Sequence, residues 1–109
     1  MQVDEKGFEL PLKMIVEGQD KNGTAFQEDT MLTYISHNGS SFFLKAPVAL
    51  GNELKLIIDL PPNLSKDEDL KLIIKGKVVF LEDPKDNNND QRVSLNFENK
   101  YVIKPDKNT

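Results

Sequence analysis

The chain has 109 residues, 38% of them hydrophobic, which is enough for one domain with a real core. It has no cysteine, which excludes a disulfide framework and a thiolate metal site. Its formal net charge of −4 makes a nucleic-acid partner unexpected. No apolar run approaches the ~20 residues of a membrane helix, so membrane insertion is not expected either. Residues 1–12 are mixed and charged, without the apolar stretch of a signal peptide, and the expected compartment is the cytoplasm.

Period-two patterning dominates and predicts strands. Leu10, Leu12, Met14 and Val16 alternate with Pro11, Lys13, Ile15 and Glu17. Gly18 to Thr24 is a turn, with Asn22-Gly23 suited to positive φ. A second strand is predicted from about Ala25 to Ile35, a tight turn at Asn38-Gly39, and a third strand opening at Ser41-Phe42-Phe43-Leu44. Pro47 to Gly51 breaks that strand. Leu54, Leu56, Ile58 and Leu60 then share a face, before Pro61-Pro62 and a charged loop from Asn63 to Asp69.

The longest strand signal runs from Leu70 to Glu82, with Leu72, Ile74, Val78 and Phe80 in one phase and Gly76 marking a bend or bulge. Asp83 to Gln91 is a polar hairpin loop. Val93, Leu95 and Phe97 make a last clear strand, and Tyr101 to Ile103 a short additional one. About six strands with short turns and no amphipathic helix predict an all-β, six-stranded antiparallel barrel. It forms a single domain over 1–109, with 1–9 as an N-terminal arm and 104–109 as a polar tail.

The expected core is Leu12, Leu54, Leu56, Ile58, Ile74, Val78, Val93, Leu95 and Phe97. The same count turns Ile57, Ile73, Val79 and Leu81 outward, as a patch for a protein partner or a second copy of the chain. Cover by the Asn63–Asp69 loop is the alternative.

Catalytic chemistry is poorly provided for, and no enzyme is expected. His37 is the sole histidine and falls in a predicted turn. The acidic loop around Asp83, Asp86 and Asp90 lacks the glycine and terminal glutamate of a calcium loop, and no metal site is expected. No phosphate-cradling glycine motif occurs.

Five segments, in order, resemble the PilZ family. Leu10 to Val16 looks like its first barrel strand, and Thr30 to Leu44 like its central strand–turn–strand signature, DxSxxG. Leu50 to Leu56 is similar to its L-G-x-x-L-x-L strand, Lys75 to Val79 to its G-x-V-V strand, and Arg92 to Phe97 to its closing strand. The resemblance covers roughly residues 5 to 98. It implies a six-stranded barrel and, in typical members, binding of the bacterial messenger cyclic di-GMP through an RxxxR segment and the DxSxxG turn.

Carried over by position, Ser36 and Gly39 match the second motif, with Asn38 in the same turn. Tyr34 stands where the aspartate is expected, and Glu5 and Glu9 where the arginines are expected. The resemblance therefore implies a signalling or regulatory domain with degenerate nucleotide motifs, acting through protein contact and needing no cofactor. The alternative is a cyclic di-GMP receptor with a non-standard or weakened site. Ser36 and Gly39 also have a plain reading as turn residues.

Overall fold

The computed structural model describes residues 11–60, 70–83 and 90–105. Six strands run in chain order: β1 (Leu12–Gln19), β2 (Ala25–Ile35), β3 (Gly39–Leu44), β4 (Glu53–Asp59), β5 (Leu70–Glu82) and β6 (Gln91–Pro105). Every pairing is antiparallel, and the sheet closes in the order β1-β2-β3-β6-β5-β4. Closure comes from β1, which pairs with β2 on one side and β4 on the other. A closed sheet has no edge strand to protect. No helix lies among the described residues, so none is long and apolar enough to cross a membrane.

Local chemistry sets the turns. In the β1–β2 hairpin the Asp20 carboxylate accepts from the backbone N–H groups of Asn22 and Thr24, at 2.9 and 3.0 Å. Gly23 sits at φ 84°, where a side chain would be strained. Between β3 and β4, Gly51 at φ 88° turns the chain, and its N–H reaches the Val78 carbonyl at 2.8 Å. The Leu50-Gly51 pair is thus a turn, and β4 begins only at Glu53.

Period two puts Met14 and Val16, Leu54, Leu56 and Ile58, Ile74 and Val78, and Val93 and Leu95 inside. Phe42, Leu44 and Val48 join them, while Leu12, Leu72 and Phe97 are partly buried against the cluster. One inner row runs Val16–Leu56–Ile74 across β1, β4 and β5. Beside it an outer row runs Ile15–Ile57–Ile73, each half-buried. Ile57 and Ile73 therefore point outward as expected.

Three expectations need correction. A bulge between Val78 and Phe80 adds one residue to β5 and reverses its phase. Phe80, expected inside, is exposed, and Leu81, expected outside, packs against the core. The expected patch of Ile57, Ile73, Val79 and Leu81 therefore loses Leu81, while Val79 remains exposed. Tyr101 to Ile103 is not a separate strand but a continuation of β6, which stays paired with β5 past another register shift between Ile74 and Gly76. The Asn63–Asp69 loop lies among residues outside the described set.

Candidate functional site

The turn between β2 and β3 is held by its own backbone and side chains. Ser36 N–H donates to the Gly39 carbonyl at 2.8 Å, and Ser36 Oγ donates to Asn38 Oδ1 at 3.0 Å. Asn38 N–H leans on Ser36 Oγ at 3.4 Å, and the Asn38 carbonyl accepts from Phe97 N–H at 2.9 Å. His37 is exposed in the same turn. Gly39 does not use positive φ, although a glycine after asparagine in a tight turn is the usual place for it. Its requirement is proximity: a Cβ there would lie 2.5 Å from the Leu95 carbonyl oxygen on β6.

A second bulge lies in β2, between Leu32 and Tyr34. Leu32 is fully buried, so two residues on Tyr34 would be inward in an unbroken strand. The bulge turns Tyr34 out, 56% exposed, and Ile35 takes the inward place. Tyr34 then pairs with Ser41, Ser41 with Ser94, and Ser94 with Phe80, forming one outer row across β2, β3, β6 and β5. The hydroxyls of Ser41 and Ser94 are 2.9 Å apart, and Thr33 Oγ1 donates to the Ser41 carbonyl at 3.0 Å. A shallow groove of about 360 Å³ opens here, lined in part by Tyr34, Ser36, Asn38, Val79 and Asn96. Ser40 also borders it; its Oγ is buried and has no hydrogen-bond partner among the described residues.

The fold recurs in a solved protein. The Bacillus subtilis inhibitor of motility, MotI/DgrA, matches with a TM-score of 0.56 at 17% identity, covering 91% of this chain and 48% of that one. This chain therefore spans about half the length of that protein. No family model matches the sequence, and no curated protein does.

The structure thus brings Tyr34, Ser36, Asn38 and Gly39 to one corner and one groove. Glu5 and Glu9 lie outside the described residues. Ile57 and Ile73 sit on the β4–β5 exterior, in a row with β1, whereas Val79 belongs to the groove. Sequence reasoning missed Phe80, Ser41 and Ser94. The run Val78-Val79-Phe80-Leu81 is apolar at every position, so polarity alone does not tell which of its residues face inward.

A larger depression of about 560 Å³ lies by β1, β2 and β4, between Gly18, Phe26 and Leu54. Its charges include Glu17 and Lys55, ion-paired at 3.5 Å. Among the described residues no group of three or more His, Asp or Glu side chains is placed to hold a metal ion.

Proposed function

We propose that this chain is a PilZ-like regulatory domain of bacterial signalling that works by protein contact and does not need cyclic di-GMP. The observation that carries this reading is Tyr34, which presents an exposed phenol ring at the corner where the family resemblance calls for a carboxylate. The guanidinium requirement points the same way. Cyclic di-GMP is a dianion whose guanine edge accepts hydrogen bonds, and arginine forks answer both features. The sequence has a single arginine, Arg92, and it sits on β6, 3.5 Å from Glu82. At the expected arginine positions Glu5 and Glu9 are acceptors only. Each would repel a phosphate ~6 Å away by roughly 3 kcal/mol at an effective dielectric of about 20. The fold shared with an inhibitor of motility supports a regulatory over a catalytic role.

A weakened nucleotide receptor is the second reading. The groove of about 360 Å³ beside Ser36 and Asn38 favours it. Calorimetry with cyclic di-GMP separates the two. No binding is expected at low-micromolar concentration, and a dissociation constant below about 10 μM overturns the leading reading. Joint repair by Glu5→Arg, Glu9→Arg and Tyr34→Asp should create affinity that falls with added salt.

A further inference from the structure

Two bulges in different strands do the same thing to the same row. By the inward phase of Leu32 and Val78, Tyr34 and Phe80 belong in the core; the bulges in β2 and β5 turn both rings outward. Bulges re-aim side chains and are over-represented beside functional sites. The two rings stand in one register row, 56% and 48% exposed, about 14 Å apart by three strand spacings. Between them lie only Ser41 and Ser94, whose short side chains bond each other and leave a trough. Val79, the extra residue of the β5 bulge, is exposed beside Phe80. Phe43 adds a further exposed ring two residues along β3 from Ser41.

We propose that this face, the row Tyr34–Ser41–Ser94–Phe80 with Val79, is where a second copy of the same chain docks. A two-fold interface must be complementary to itself. This face qualifies, since it carries protruding rings and a trough side by side, and the rings of one copy enter the trough of the other. Charge agrees with that arrangement. Each chain carries −4, so two copies repel unless they meet on neutral ground. The charges beside Phe43 are closed into pairs, Arg92 with Glu82 at 3.5 Å and Lys45 with Asp90 at 3.7 Å. The four-strand face is roughly 20 Å across, which places the contact at the small end of specific interfaces, where weak and transient contacts lie.

The inference deepens the protein-contact reading by naming the partner. Its test uses no nucleotide, so it and the calorimetric titration can fail separately. The purified chain is followed by sedimentation equilibrium from about 10 μM to 1 mM, the concentrations at which a weak contact becomes populated. A reversible dimer is expected. Phe80→Lys and Val79→Lys, both at exposed positions, should each weaken it at least tenfold, with circular dichroism unchanged. Ile73→Glu, on the other outer row, should leave the dimer as it is. Amide resonances of Ser41 and Ser94 should shift on dilution of the wild-type protein and stay fixed in Phe80→Lys. A wild-type chain that stays monomeric throughout overturns the proposal. So does a dimer indifferent to both lysine substitutions, or one lost in Ile73→Glu.

Discussion

Gly39 and Gly23 are both turn-associated glycines, yet the structure holds them for different physical reasons. At Gly23 the backbone is at φ 84° and the surrounding space is open. At Gly39 the backbone is unremarkable, but a Cβ would meet the Leu95 carbonyl oxygen at 2.5 Å, and backbone cannot yield as a side-chain tip can. Asparagine tolerates left-handed φ better than other side chains and the space is open, so Gly23→Asn should carry only a backbone cost, below about 1 kcal/mol. Gly39→Asn should force β3 away from β6 and cost about 1–3 kcal/mol, the usual range for overpacking. Urea denaturation of the two variants reads this directly. Equal costs would mean that the β3–β6 approach is not tight. The same contact decides what Gly39 means in the family-like turn. It brings β3 against β6, and with it Ser41 against Ser94.

At the scale of the strand, alternation carried most of the fold. β2 and β5 have the bounds their sequence pattern predicts, and the inward residues of β4 are the expected ones, because one buried face fixes phase. Phase was illegible where a bulge inserts a residue, since a bulge is a backbone event and alternation is read from side chains. That is why Phe80 and Leu81 exchanged places and why the outer row at the groove was not foreseen. The Ser36–Gly39 corner was legible because its residue types serve the turn directly. The pairing of Ser41 with Ser94 beside it was not, since the two lie 53 residues apart in sequence.

Strand pairing also sets a pH dependence at the rim where β4, β5 and β6 meet. Glu53 and Asn96 flank Lys77 in the ladder, and Glu98 reaches Glu53. A hydrogen bond between the two carboxyls, with smaller contributions from desolvation and like charge, raises the Glu98 pKa above the ordinary 4.5, against the pull of Lys77 and Lys75. The folded protein therefore holds this proton to higher pH than the unfolded chain. The stabilisation is present at low pH and is lost as pH rises through the folded pKa. Glu98→Gln keeps a donor toward Glu53 and removes the charge. Its melting temperature should gain on that of the wild type as pH rises from about 4.5 to about 7. A difference independent of pH would mean the two carboxyls do not meet in solution.

For the whole molecule, closure by β1 makes one core that every strand shares, and two adjacent residues of β4 sample its two sides. Leu56 lies in the inner row between Val16 and Ile74, fully buried. Ile57 lies in the outer row between Ile15 and Ile73, half-buried. Truncating Leu56 to alanine removes buried atoms and leaves a cavity that a closed sheet cannot collapse, at a cost of about 2–5 kcal/mol. Against a total stability of about 5–15 kcal/mol, that is a large share of what holds the barrel. Because no strand is an edge, the loss should appear as a lower midpoint of one cooperative transition rather than as local fraying. Ile57→Ala should cost far less, since its side chain gives up only partial burial. Paired denaturation curves measure both. If Ile57→Ala costs as much as Leu56→Ala, the outer row is a second covered core, and the β1–β4–β5 exterior is then unavailable to any partner. If the costs differ as expected, that exterior contributes little to folding. The exposed rings on the opposite flank, Tyr34 and Phe80, contribute less still, which leaves them open to a role in contact between molecules.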